Sequence, residues 1–462
     1  MTTTISVAGL FLALFLLVYL AFKGHSVIII APIVAMVAVI FSAGFDSHLM
    51  ANYTEVYMTG FANYARNYFP LYLFGAVFAK LMEVSGYADA ISHLIASRLG
   101  KERAILAVVL CCAVLTYGGV SLFVVTFVVL PIAISLFRAA DIPKRLIPGS
   151  IALGAFTFTM TALPGSPQVQ NTIPMTYFGT DAFAAPVLGI IAAIMMFSLG
   201  MIWLNYRAKK AKQAEEGYGD HDDEKKEISE SDLPGIIHPV IAFLLIVAVN
   251  LLCSKVIYPR LNTAYLEQYN TKISAVSGNW SVLIALLVAI IYLIITGLPR
   301  FKALKDSLKS AAGNSLMPLI NSCAVVGFGS VIKGLAIFAF VQAFILSISA
   351  NPLITEVLAV NLLCGMTASA SGGLGATLEA LAPTFLEQGA RIGIGPQVLH
   401  RIASISSGGL DSLPHNGATV TTLSLCGITH KEGYLDMFVT SVVIPIATAL
   451  VIVVLATLGL RF

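Results

Sequence analysis

The chain predicts an all-α polytopic membrane protein made of two inverted repeats, and three observations predict it. Of its 462 residues, 58% are hydrophobic and 11% charged, against roughly 25% charged in a soluble globular chain. Apolar stretches of about 17 to 25 residues, the length that crosses about 30 Å of hydrocarbon, recur from end to end. Landmarks of the first half also return in the second at a near-constant offset. Pro70 and Pro318 differ by 248, Gly118-Gly119 and Gly372-Gly373 by 254, Pro131 and Pro383 by 252, and Leu163-Pro164 and Leu413-Pro414 by 250.

Spans read by apolar length fall near 6–22, 25–43, 68–84, 183–205, 236–257, 280–297, 313–332 and 434–458. The opening MTTTISVAGLFLALFLLVYLAF has no Lys or Arg before its apolar core, so it reads as a first span rather than a cleaved signal peptide. Regions 104–136 and 355–386 are long, with glycine-rich midpoints, LTYGGVS and ASASGGLGA. One straight helix of that length would run about 50 Å, so each reads as a re-entrant helical hairpin. Regions 147–176 and 398–427 are broken helices, interrupted by ALPGSPQVQN and SLPHNGATVTT. The soluble exception is 207–232, a charge-mixed segment of low hydrophobicity expected to be mobile. The domains are then a first repeat, 1–206, a cytoplasmic charged linker, 207–235, and a second repeat, 236–462. Each repeat makes five crossings plus one hairpin, and an odd number of crossings inverts the second.

Charge supports this layout. With the linker in the cytoplasm, 18 Lys and Arg fall inside, including Lys101, Arg145, Lys212 and Lys431. Seven fall outside: Arg66, Lys255, Arg260, Lys272, Arg391, Arg401 and Arg461. Both termini then face outward. Hairpin 104–136 enters from the cytoplasm and hairpin 355–386 from outside.

Non-helical backbone at membrane depth survives only beside protein or a water-filled cavity, because unpaired amides cost several kcal/mol each. Four breaks related by an inverted repeat should converge near the midplane and aim half-helix N-termini at one point. Such N-termini bind carboxylates. The candidate substrate-binding residues are Tyr117, Gly118, Gly119 and Ser121 at the first hairpin tip, with Ser166, Gln168, Gln170, Asn171 and Thr172 at the first break. The second half supplies Ser369, Ser371, Gly372 and Gly373 at its hairpin, with Asn416 and Thr419 at its break. Any of the hydroxyls can instead bond its own helix backbone.

Residues 104–137 and 147–180 hold no Asp, Glu, Lys or Arg; 357–386 holds only Glu379, and 402–429 only Asp411. With no fixed cation in these windows, helix ends and neutral donors must bind an anion, which suits one carboxylate plus hydroxyls. Importing that anion against an inside-negative potential costs about 2.3 kcal/mol per charge per 100 mV, and a co-transported cation offsets it. Asp411, with His415 beside it, is the candidate ion-coupling pair. A capping role for Asp411 at a half-helix starting near Ser412, or sodium coordination, are the alternatives.

The LP-x-x-P segment Leu163 to Pro167, the hairpin with Pro131 downstream, the Ser/Gly-rich second hairpin and the Asn416 break resemble the gluconate permease family. That family belongs to the larger ion transporter superfamily of inverted-repeat carriers, and the resemblance covers nearly the whole chain. It implies a proton symporter of the bacterial inner membrane, homodimeric and moving by an elevator-like mechanism. The implied substrates are hydroxylated monocarboxylates: gluconate and other sugar acids, D-serine or 3-hydroxybutyrate. The sequence departs from the gluconate-type pattern at Thr116-Tyr117-Gly118-Gly119 and at Gly417, where acids are expected. Asp411 and His415 are the candidates to replace them, and a smaller hydroxy acid suits Tyr117 better. A sodium-coupled di- or tricarboxylate transporter is the alternative reading.

An intramembrane enzyme or an anion channel is the more distant alternative. The sequence has no HExxH, GxSxG, GxGxxG or P-loop, and no cofactor or metal is expected. The six cysteines read as small buried hydrophobes, and His48, His93, His238 and His400 as interfacial or structural. Lys80 and Glu83 form an i,i+3 pair that reads as structural neutralisation. The expected partners are a small organic anion, a coupling cation, the lipid bilayer and a second copy of the chain, with no nucleic acid.

Overall fold

The computed structural model describes residues 3–23, 25–44, 48–120, 122–221, 233–301, 303–335, 343, 348–349, 351–367, 369–414 and 416–462. Every regular element among them is helical. Helices α1 (Thr3–Phe22) and α2 (Val27–Ala43) pack through Leu10, Ala13 and Leu17 against Val34, Ala35 and Ala38. They share a small core with Phe328 and Val331.

The central pair is α3 (Leu49–Val84), which bends by 64° into the interfacial α4 (Tyr87–Leu99), and a 31-residue helix from Leu304 to Gly334. Gly86, at φ +74°, makes that bend. The expected spans 68–84 and 313–332 are thus parts of longer helices, with Pro70 and Pro318 inside them. The pair crosses closely because Gly60 faces Ser330 and Gly327 faces Tyr57, where any side chain would collide.

The first hairpin joins α5 (Ala104–Tyr117) to α6 (Leu122–Ala139). Gly119, at φ +95°, turns the chain, and Gly118 has the Phe243 ring packed where a Cβ would stand. The first broken helix follows as α7 (Ile147–Ala155), the single turn α8 (Phe158–Thr161) and α9 (Val169–Phe178). Then come α10 (Pro186–Gln213), α11 (Ile237–Leu252), α12 (Ile273–Gly297) and α13, the Leu304–Gly334 helix. The second hairpin is α14 (Pro352–Thr367) and α15 (Ala370–Arg391). Its turn comes earlier than expected: Gly372 and Gly373 sit in the first turn of α15, not in the bend. Gly373 is required because a Cβ there would overlap the Cys364 backbone of the facing arm. The second broken helix is α16 (Pro396–Ser407), a tight turn at Leu410–Ser412 and α17 (Gly417–Leu425). Last comes α18 (His430–Thr457).

Among the described residues, five helices are long and apolar enough to cross a membrane: Pro186–Gln213, Ile237–Arg260, Val276–Arg300, Leu304–Gly334 and His430–Thr457. The bent α3–α4 pair is a sixth. The other expected crossings are shorter apolar helices or the broken ones.

Five contacts order the two ends of the bundle. At one end, Arg207 of α10 bonds Asp436 of α18 at 2.7 Å, and Arg145 bonds the same carboxylate at 3.0 Å. At the other, Leu188 N–H donates to Phe462 O, so α10 and α18 run antiparallel. Arg138, at the base of the first hairpin, lies over the Tyr218 ring at the first end. Asn351, at the base of the second, bonds Thr457 at the opposite end. The hairpins therefore enter the bundle from opposite ends. The first end also holds the start of the charged segment, which is more ordered than expected: 207–213 continue α10, and Tyr218 is buried. The rest of that segment, 222–232, lies outside the described residues.

Candidate functional site

One cavity of about 1580 Å³ reaches from the first end to the middle of the bundle. Four helix beginnings line it: Gly119 and Leu122 at α6, Gln168 to Gln170 at α9, Ser369 to Ser371 at α15, and Asn416 to Ala418 at α17. The breaks explain why. Each interrupts a helix beside this cavity, so its irregular backbone lies against protein and the cavity instead of lipid. Helix N-termini carry about half a positive charge each, so the lining favours an anion.

The second half supplies the more exposed chemistry. Asn416 caps α17, its Oδ1 accepting from the N–H of Ala418 at 2.7 Å and of Thr419 at 3.0 Å. The capping role considered for Asp411 thus belongs to Asn416. Asp411 instead lines the cavity from the turn, taking a 3.2 Å bond from the Ser412 hydroxyl. Ser369 caps α15 by accepting from Gly372 N–H at 3.1 Å. From Ser369 a chain of hydroxyls runs through Ser371 to Ser322 and Tyr72, with steps of 3.4, 3.0 and 3.2 Å.

The first half is more tightly bonded. Gln168 Nε2 donates to Thr116 O at 2.7 Å, fastening the break to the hairpin tip, and Tyr117 OH donates to Pro164 O at 3.0 Å. Gly119 has Pro167 beside it. Ser166 is buried, its hydroxyl accepting from Gln168 N–H. Gln170 lines the cavity and leaves Oε1 unpartnered, which makes it the readiest acceptor there.

Asn171, Thr172 and Thr419 are completely buried, and the cavity's described lining does not include them. Thr172 bonds Val169 O, and Thr419 bonds Ser412 O. Asn171 belongs to a buried cluster built on Arg401, whose side chain is fully enclosed. The guanidinium donates to Ala162 O, Ala184 O and Asn171 Oδ1 at 2.8–3.1 Å and to Ala182 O at 3.5 Å. His400 adds bonds to Thr180 Oγ1 and Asn171 Oδ1. Arg401 is therefore not an outer-loop base, as the charge count had it, but the pin that holds the first break. Ser121 and His415 lie outside the described residues.

Sequence reasoning missed Arg401 because it stands one residue before the window 402–429. It missed Tyr72 and Ser322 although they are 250 apart, the same offset as the proline landmarks. Lys80, bonded to Glu83 at 2.7 Å, is the only Lys or Arg among the cavity's described lining residues, which also include Glu83 and Asp89. All six cysteines are buried and none is in a disulfide, and the described residues contain no His/Cys/Asp/Glu group suited to a metal.

A helical membrane protein whose interrupted helices border a central cavity is built as a permease. Comparison with known proteins defines which kind. The GntP family permease profile matches residues 1–400, and the chain belongs to that family. It is 41% identical, over 97% of this chain and 98% of the relative, to the uncharacterized transporter YxjC of Bacillus subtilis. It is 30% identical to the high-affinity gluconate transporter of Escherichia coli over 40% of this chain and 39% of that one. The crystal structure of the YdaH transporter of Alcanivorax borkumensis shares the fold, with a TM-score of 0.59, 15% identity and 90% of each chain covered. The protein is a membrane-embedded, multi-pass transporter.

Proposed function

We propose that this permease is a proton-coupled symporter that imports a small hydroxylated monocarboxylate by elevator-like alternating access. The observation that carries the reading is the single cavity lined by four helix beginnings, Asp411 and a ladder of hydroxyls. The helix ends suit one carboxylate, and Gln168, Gln170, Ser369, Ser371 and Asn416 suit substrate hydroxyls. The gluconate transporter among its relatives supports a sugar acid, and 3-hydroxybutyrate is the smaller candidate. Asp411, with His415, is the proposed carrier of the coupling proton. Hairpins entering from opposite ends support two inverted repeats. With the 207–235 linker cytoplasmic and both termini outside the inner membrane, Leu233 and Pro234 at the cavity wall mean that this conformation opens inward. A homodimer is the proposed assembly.

Uptake into proteoliposomes tests the reading, using gluconate, D-serine, 3-hydroxybutyrate and citrate under an inward proton gradient or an inward sodium gradient. Accumulation of a monocarboxylate driven by the proton gradient is expected. Accumulation driven by sodium alone, or preference for citrate, would replace it with a sodium-coupled di- or tricarboxylate carrier.

A further inference from the structure

Glu356 lies near the start of α14, the first arm of the second hairpin, and is completely buried. Neither of its carboxyl oxygens has a hydrogen-bond partner. The titratable groups on the elements packed against α14 are Glu379, Glu387 and Arg391 of α15, His400 and Arg401 of α16, Asp411 in the turn, and Tyr19 of α1. The stretch of α18 that packs there, Ile444–Thr457, has none. None of these groups bonds to Glu356, and Arg401 is engaged by the first break. A buried carboxylate with no partner is costly, and binding a proton removes that cost.

Two contacts place this position, one toward the end of α18 and one toward the cavity. Asn351 Nδ2 bonds Thr457 Oγ1 at 2.7 Å, which sets α14 beside the end of α18. Asn361 Oδ1 accepts from the N–H of Leu410, the residue before Asp411, at 3.3 Å. Glu356 lies midway between Asn351 and Asn361, about 7.5 Å along the helix from the Asp411 turn's anchor. On the facing stretch of α18, Thr448 is completely buried and its hydroxyl also lacks a partner. Interiors leave few polar groups unsatisfied, and two on facing stretches of one helix pair call for a reason.

We propose that Glu356 is a second proton-binding carboxyl of the transport cycle, loaded while the second hairpin packs as seen here and emptied when hairpin movement opens the seam between α14 and α18. The inference rests on the proton-coupled reading above. The step moves one proton from the carboxyl to water admitted to the seam, leaving a carboxylate and a hydronium ion; no substrate bond changes.

The test compares wild type, Glu356→Gln and Asp411→Asn in liposomes, with gluconate or 3-hydroxybutyrate as substrate. Glutamine keeps the size and neutrality of the protonated acid. Glu356→Gln should exchange substrate normally, while its proton-to-substrate ratio falls by one and accumulation drops about tenfold per unit of pH difference. An unchanged ratio overturns the inference and leaves proton coupling intact. Absence of pH-driven accumulation in wild type overturns the coupling reading itself. Loss of exchange in folded Glu356→Gln assigns the residue a packing role and also overturns the inference. If that variant does not fold, infrared titration of Asp411→Asn decides. A protonated-carboxyl band that bleaches when the outward-open state is trapped supports the inference, and an unchanged band overturns it.

Discussion

The two broken helices look alike in sequence but are held together by different forces. Between α7 and α9 the chain is stitched by charge-assisted bonds from Arg401 and by Gln168 and Tyr117, with no acid of its own. Between α16 and α17 the bonds are Asn361 to Leu410, Tyr434 and Thr419 to Ser412 O, Ser412 to Asp411, His430 with Pro414 O, and the Asn416 cap, none of them from an arginine. The lone titratable group described in that segment, Asp411, faces the cavity. Hydrogen bonds from a charged donor are roughly twice as strong as neutral ones. The first break is therefore the more firmly bonded half of the site, and the second is the half that carries an acid, Asp411.

Removing the pin should have the largest effect. Arg401→Ala leaves the carbonyls of Ala162 and Ala184 without this donor, while Ala182 O keeps Gly165 N–H and Asn171 Nδ2, and Asn171 Oδ1 keeps His400. At about 1–3 kcal/mol for each unsatisfied buried group, the loss is a large part of a typical whole stability margin. Little monodisperse protein should be recovered from detergent extracts by size exclusion, and Arg401→Lys should rescue it only in part, since an ammonium lacks the fork. A normal melting temperature for Arg401→Ala would break the comparison at its first term.

Next in size is Asp411→Asn. The variant cannot ionise, so it should still exchange substrate across the membrane but lose accumulation driven by a pH gradient. Full gradient-driven accumulation would leave the second break without its distinguishing role.

The two asparagines sharpen the contrast. Asn416→Ala removes a cap worth about 0.5–2 kcal/mol and a cavity-lining group, so KM should rise while the protein stays folded. Asn171→Ala should lower the melting temperature with little change in KM, because its side chain serves Arg401. The reverse pattern in paired uptake and melting measurements would mean that the first break, not the second, meets the substrate.

The smallest effect belongs to the charged end of the bundle. The Arg145 guanidinium beside Glu216 holds that carboxyl below the usual carboxylate range. Its stabilisation is present above the unfolded value and lost as pH falls through the lower folded one. Because Glu216 is 42% exposed, screening limits the pair to about 0–1 kcal/mol. Glu216→Gln should shift melting slightly at pH 7, and the difference from wild type should vanish in acid.

Membrane class, hairpins and breaks were legible because lipid permits few backbone solutions: long apolar runs must be helical, and clustered Gly, Pro and Asn at depth must border a cavity. The 250-residue offset pointed to matched elements, and the LP-x-x-P and Asn416 segments to helix beginnings on one site. Partners were not legible, because a side chain's direction depends on which helix packs against it. Asn171 and Asn416 have the same chemistry and similar settings in the chain. Yet one bonds a buried arginine 230 residues away, while the other caps its own helix beside the cavity. The charge count placed Arg401 on the outer side. Only the tertiary structure, by gathering the carbonyls of Ala162, Ala182 and Ala184 around it, decided that its charge could be buried.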